Sequence, residues 1–281
     1  MYFCGSFVNN PKPNAALHNM ETPQTPKQYR VKVVVPLYRT ALDQPERKSL
    51  THNLEVLGNR YPVVFIMPEG VDAPAEAAGY PVMRVSDEWL GRKNGLAGYN
   101  RMMMSREFYD LFSDCDYILI CQTDVWLFRD ELEEWCNRGY DYVAAPFPRR
   151  PIYDNPVVRC WLKLRKMLCG GNGRIMRQDT FGRIINGGFS LRKVDSHREA
   201  CVRYADIIER FNRCEHHLYN EDLFWGIIPR EFRYPTVDEA LEFSFDVKPD
   251  YCYRLTGGRL PFGCHGWFKP KPYMFWRDII K

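Results

Sequence analysis

Short, continuously apolar runs separated by polar, helix-like stretches set the pattern of this chain. VKVVVPLY, closed by Pro36, predicts a buried strand, as do PVVFIMP (62–68), PVMRVS (81–86), DYILICQT (116–123) and YDYVAAP (140–146). Between them, Pro45–Leu57, residues 96–112 and residues 130–137 carry helical patterns. Strands alternating with helices predict an α/β fold with a mostly parallel, Rossmann-like sheet and helices on both faces, in a single domain. Residues 1–28, rich in Pro, Asn and Thr without periodicity, read as a flexible leader, and 29–281 as the folded domain.

Asp124 interrupts the apolar stretch YILICQTDVWLF. A buried carboxylate without a partner costs several kcal/mol, so this acid calls for a role. In open α/β sheets, ligands bind at the carboxyl ends of the strands, where Asp124 falls. Position alone leaves two readings open, a ligand-facing acid or an N-cap of the following turn.

Three later segments add candidate chemistry. RIINGGFSLRK sets Gly187 and Gly188 before a strand, where backbone approaches a ligand or simply turns. LYNEDLFWG sets Glu221 and Asp222 among aromatics, as a general base or as the acidic first turn of a helix. LPFGCHGWFKPKP carries His265 between glycines, suited to a metal, a phosphate or a structural hydrogen bond. A strand-end Asp and a loop His together suit Mn²⁺ or Mg²⁺, with diphosphate oxygens completing the shell.

The formal charge of +4 is mild, but Arg149–Arg177 holds eight basic residues against one acid, Asp154, and leaves the remainder net negative. Within it, Val157, Trp161, Leu164 and Leu168 recur at helical spacing, with Arg159, Lys163 and Lys166 on another face, before a glycine-rich break at 170–173. This basic helical insert, at about 149–180, is read either as packed on the domain with a solvated rim or as a peripheral contact of residues 156–169 with anionic lipid. No aromatic RNA-binding motif accompanies the charge, so nucleic acid is not expected as a partner. Ten scattered cysteines without a Cys-x-x-Cys pair argue against a disulfide framework. With no apolar run of about 18 residues, the expectation is a cytoplasmic protein, with the inner face of the membrane as its peripheral site.

The order QTD, NGGFSLRK, YNEDLFWG, FGCHGWFK resembles the GT-A-fold nucleotide-sugar glycosyltransferases, over roughly residues 30–275. It is most similar to a poorly characterised bacterial glycosyltransferase-like family of surface-polysaccharide clusters. The resemblance implies that Asp124 is the last acid of the Asp-x-Asp metal motif and His265 the C-terminal metal ligand. It also implies that Asp222, after Glu221, is the catalytic base of an inverting transferase. Pro36, Leu37 and Tyr38 would hold the nucleotide base, while Tyr99, Asn100, Gln122, Gly187 and Gly188 would line the donor cleft. Gln122 stands where the motif has its first acid, so the metal site has one carboxylate fewer. The function implied is transfer of a sugar, of the hexosyltransferase type, from a nucleoside-diphosphate-sugar donor to a hydroxyl on a glycan or lipid-linked acceptor in polysaccharide synthesis. The rivals are a non-catalytic carbohydrate- or membrane-binding protein with a degenerate site, and a sugar nucleotidylyltransferase. The last would need a Gly-rich phosphate loop after the first strand, and VVVPLYRTALDQP has none.

Overall fold

Alternate residues of the first strand enter two different cores. Val31, Val33 and Val35 join one apolar cluster, and Val34 joins the other. Side chains of a strand alternate between the two faces of its sheet, so both faces here are covered. The computed structural model describes residues 27–91, 93–169 and 175–281. The expected leader, apart from Lys27 and Gln28, and the glycine-rich break at 170–173 lie outside them.

The main sheet contains β1 (Tyr29–Pro36), β2 (Val63–Pro68), β3 (Val82–Val85), β4 (Cys115–Cys121), β6 (Tyr142–Ala144) and β7 (Phe189–Lys193), with the short β5 (Val125–Leu127) lying outside it. Their order is β3-β2-β1-β4-β7-β6. β1 runs parallel to β2 and β4, and β2 to β3, while β7 is antiparallel to both β4 and β6. Helix Gln44–Leu57 and helix Leu132–Asn137 pack on the face of Val33 and Val35. Helices Gly95–Met103, Arg106–Asp110, Val194–Arg203 and Glu221–Ile227 pack on the other. The protein is thus a single mixed α/β domain with a mostly parallel central sheet.

Three corrections to the sequence pattern bear on the site. The helix expected over 96–112 is two helices, because Ser105 leaves the helix and caps the second by accepting from the Phe108 N–H. Asp124 does not end β4 but sits in the turn between β4 and β5. The third concerns β5, which with β8 (Ser244–Phe245) and β9 (Gly263–His265) forms a second sheet, ordered β5-β9-β8. Two- and three-residue strands give too little periodicity to be read from sequence. This small sheet carries His265 to Asp124, since β5 and β9 pair with Val125 opposite His265.

Candidate active site

β4, the turn after it, β7 and β9 meet at one point. Gly266 N–H donates to the Asp124 carbonyl at 2.8 Å, fastening the β9 turn onto the β4–β5 turn. Gly266 has φ +65°, a left-handed conformation that favours glycine. Lys269 N–H donates to the Gly266 carbonyl at 3.0 Å, and its side chain returns over the site.

His265 is the hub. Its Nε2 lies 3.0 Å from Asp124 Oδ1 and 3.2 Å from Gln122 Oε1. Its Nδ1 faces Asn186 Nδ2 at 3.0 Å and Asp246 Oδ1 at 3.3 Å. Burial alone would lower the imidazole pKa, but Asp124 and then Asp246 outweigh it and push it up to about 9. Burial would raise the Asp124 carboxyl, but His265 and the Lys269 amine, 2.9 Å from Oδ2, hold it well below the usual carboxylate range. Asp124 Oδ1 is buried with no hydrogen bond of its own, its nearest contact being the same Nε2 that also meets Gln122 Oε1. Gln122 also donates from Nε2 to the Tyr99 hydroxyl at 3.1 Å.

The second half of the site lies one residue away. Asp222 Oδ1 accepts from Gly187 N–H at 2.5 Å. The helix Glu221–Ile227 is capped by Asn220, whose side chain accepts from Leu223 N–H. Both acids stand in the first turn of this helix, as one of the two readings of LYNEDLFWG had it, and neither is the cap. Asp222 is half-buried, whereas Glu221 is buried and takes the Arg192 guanidinium at 3.0 Å. Burial pushes the Glu221 carboxyl up, Arg192 opposes that, and Asp222 adds to it. Burial would lower Arg192, but Glu221 and the surrounding tyrosine hydroxyls keep it charged. Arg192 also donates to Ser190 Oγ at 2.9 Å, the Tyr109 hydroxyl at 3.0 Å and the Gly187 carbonyl at 3.3 Å. Every guanidinium nitrogen thus has a partner, and the buried ion holds the Gly187 carbonyl.

Gly187 and Gly188 join the halves. A Cβ on Gly187 would fall 1.7 Å from Glu221 Oε1 and 2.3 Å from Asp222 Oδ1. One on Gly188 would fall 2.3 Å from His265 Nε2. Here glycine is needed for space, and neither residue has a positive φ.

Gln122, Asp124, Gly187, Gly188, Glu221, Asp222, His265 and Tyr99 therefore come together. Asn100 joins through its side-chain oxygen, which accepts from Glu221 N–H at 3.4 Å. Of the expected base-binding trio, Pro36 is half-buried at the end of β1 and Tyr38 is exposed. Leu37 has its side chain in the core and its N–H spent on the Ile66 carbonyl. Sequence reasoning assigned no role to Asn186, Arg192, Asp246 or Lys269. Arg192 had a signal, because a charge in the buried strand FSLRK must be paired. An open depression of about 420 Å³, lined by Arg47, Lys48, His52 and Trp126, contains none of the site residues.

Among the described residues, no group of three or more His, Cys, Asp or Glu is placed to hold a metal ion. A smaller donor set does fit a divalent cation. The orphaned Asp124 Oδ1, Gln122 Oε1 and His265 Nε2 face one another, leaving the other positions to phosphate oxygens. Asp246 and Asn186 stand on the far ring nitrogen, where an outer partner fixes a metal-binding imidazole.

Solved structures similar to this chain include mouse xyloside xylosyltransferase 1, at 12% identity and a TM-score of 0.49, covering 85% of this chain and 97% of that one. Another is a glycosyltransferase involved in glycosylation of the major capsid of PBCV-1, at 11% and 0.46, covering 89% and 98%. A third is core-mannan synthase A of Aspergillus fumigatus in its Mn/GDP form, at 11% and 0.42, covering 80% and 73%. At these identities and TM-scores the likeness carries no argument about activity. No curated protein matches the chain. A family described as "Protein of unknown function (DUF5672)" matches residues 79–265, which hold Gln122, Asp124, the glycine pair, Asp222 and His265. The match spans more than half of the chain, and the protein belongs to that family.

Proposed function

We propose that this protein is a nucleotide-sugar glycosyltransferase, moving a sugar from a nucleoside-diphosphate donor to an acceptor hydroxyl with inversion. The observation that carries the reading is the back-to-back arrangement at Gly187–Gly188. A metal-compatible cluster of Asp124, Gln122, His265 and Lys269 abuts Gly188, and a half-buried carboxylate, Asp222, abuts Gly187. A transferase needs both parts side by side, one for a leaving diphosphate and one for an incoming hydroxyl.

The diphosphate would lie on the Lys269 side, where the amine meets its negative charge. Asp124, His265 and Gln122 would hold a divalent cation there, which when bound neutralises the leaving diphosphate. Asp222 takes the proton of the acceptor hydroxyl as its oxygen bonds to the anomeric carbon and the bond from that carbon to the diphosphate breaks. The Gly187 N–H orients the Asp222 carboxylate, and the Arg192–Glu221 pair holds the next peptide through the Gly187 carbonyl. Gln122, bonded to Tyr99, offers an amide to the donor but brings no charge.

The test is release of nucleoside diphosphate from a panel of nucleotide sugars, with acceptor sugars and Mn²⁺ present. Wild-type release that falls in Asp222→Asn supports the reading. Nucleotide binding without release in either protein favours the second reading, a binding protein with a degenerate site, which the missing acid at Gln122 makes specific.

A further inference from the structure

Not one of the fourteen residues of helix Pro156–Cys169 is buried. Packing on the domain, one of the two readings of this segment, is confined to one side. Val158 and Leu162 are half-buried, and the Leu162 carbonyl accepts from Gln178 Nε2 at 3.0 Å, so the helix leans on the protein along that side. At about 100° per residue, Val157, Leu164, Leu168 and Trp161 form one continuous stripe, with Met167 at its edge. All five are exposed, Val157 by 76% and Trp161 by 56%. Lys163 borders the stripe on one side and Arg165 on the other, the Arg165 guanidinium lying 5.4 Å from the Trp161 ring centre. Lys166 pairs with Asp179. Among the described residues, no ion pair engages Arg159, Lys163 or Arg165, and the helix itself carries no acid.

A contiguous exposed apolar stripe rimmed by charge marks an interaction surface. We propose that its partner is an anionic lipid surface, on which the helix lies in the interface plane. Charge decides between occupants. A second copy brought face to face would set one basic border against another, at a cost, whereas an acidic bilayer complements both borders at once. Tryptophan within an apolar stripe edged by Lys and Arg is the pattern of an interfacial helix. At about 21 Å for fourteen residues, against a hydrocarbon core of about 30 Å, the helix lies on the bilayer and does not cross it. No helix among the described residues is long and apolar enough to cross one.

The segment is tied to the site by a short neck. Phe147 N–H donates to the Arg183 carbonyl and Gly182 N–H to the Phe147 carbonyl, both at 2.8 Å, and the chain then enters Asn186 and Gly187. The Arg149 carbonyl is held by the Tyr251 hydroxyl at 3.2 Å. Docking would therefore tether the site to the bilayer, whatever reaction is run there. The inference does not depend on the transferase reading.

Flotation with phosphatidylcholine vesicles, alone or mixed with phosphatidylglycerol, tests it on the full chain. The protein should float with the mixed vesicles only. It should release between roughly 0.1 and 1 M salt, where the Debye length shrinks from about 10 to 3 Å. Lys163→Gln/Arg165→Gln should weaken partitioning by roughly 30-fold, the usual worth of two bases near an anionic surface. Leu164→Ser/Leu168→Ser should weaken it by at least about 10-fold, as apolar anchoring is lost. Both variants should keep the wild-type melting temperature. Flotation blind to lipid charge, or no flotation, overturns the proposal. So does a lowered melting temperature in both variants, which would mark a packed helix. A wild-type dimer that Leu164→Ser/Leu168→Ser dissociates, with no vesicle binding, would assign the stripe to a second copy.

Discussion

A Cβ on Gly188 would stand 2.3 Å from Nε2 of His265, so the imidazole occupies the space that any other residue at this position would fill. Gln122 Oε1 closes the same space at 2.6 Å. The backbone of β7 and the two ligand candidates are thus packed as one unit, and Gly188→Ala must push the ring or the amide aside.

We predict that Gly188→Ala folds, losing about 1–3 kcal/mol to overpacking. It should also weaken Mn²⁺-dependent nucleoside diphosphate binding by at least about 10-fold, since a displaced ligand forfeits about one factor of ten per 1.4 kcal/mol. Calorimetric titration checks the affinity and urea unfolding the stability. Unchanged affinity would show that His265 and Gln122 do not meet the nucleotide.

The two adjacent acids should separate by role. Asp222→Asn is expected to lower turnover by about 100-fold or more with donor affinity near normal, as loss of a general base does. Glu221→Ala leaves Arg192 buried and unpaired, and should instead destabilise the fold by about 3–5 kcal/mol. Turnover of nucleotide sugars and urea unfolding of both variants decide it. A stable Glu221→Ala with the larger loss of turnover would reverse the assignment.

Asp246 tests the outer support of His265. Asp246→Asn removes the charge facing Nδ1 and should weaken metal-dependent nucleotide binding by about 10–100-fold, the usual cost of losing an outer partner. Metal-free nucleotide binding should change little. Equal losses with and without Mn²⁺ would make Asp246 a general structural support.

His197 gives the pH dependence. It is fully buried among Tyr109, Tyr142, Trp225 and Phe232, with Nδ1 against the Lys193 carbonyl at 2.8 Å. Burial first, and then the Arg192 charge, hold its pKa well below the ordinary value. Below about pH 6.5 the unfolded chain takes up a proton that the folded chain refuses. Its contribution to stability is therefore complete above pH 6.5 and falls with acidification, at up to about 1.4 kcal/mol per pH unit. Urea unfolding at pH 7.5 and 5.5 should show that loss, and His197→Asn should flatten it. An identical slope in both proteins would place the acid sensitivity elsewhere.

Much of this arrangement is legible in the sequence, and the part that is not has a physical cause. Buried strands of a parallel sheet are apolar on both faces, so VKVVVP, VVFIMP and CDYILIC stand out as runs. Asp124 stands out because it breaks such a run, and Gly187–Gly188 because two glycines precede a strand. Asp246 and Lys269 gave no comparable signal, because their positions depend on a sheet of two- and three-residue strands. The burial of Leu37 gave no signal either. The residue follows Pro36 at the mouth of the sheet, yet its N–H extends the β1–β2 pairing and carries the side chain into the core.

The central claim is that Asp124, His265 and Lys269 form the diphosphate end of a donor site, and nucleotide affinity tests it most directly. UDP, GDP, CDP, ADP and dTDP should be titrated calorimetrically, with and without Mn²⁺, into wild type and Asp124→Ala. The prediction is that at least one binds wild type, and binds Asp124→Ala at least about 10-fold more weakly with Mn²⁺ present, each factor of ten being 1.4 kcal/mol of lost interaction. Equal affinity in the two proteins, or no binding of any nucleotide to wild type, would contradict it.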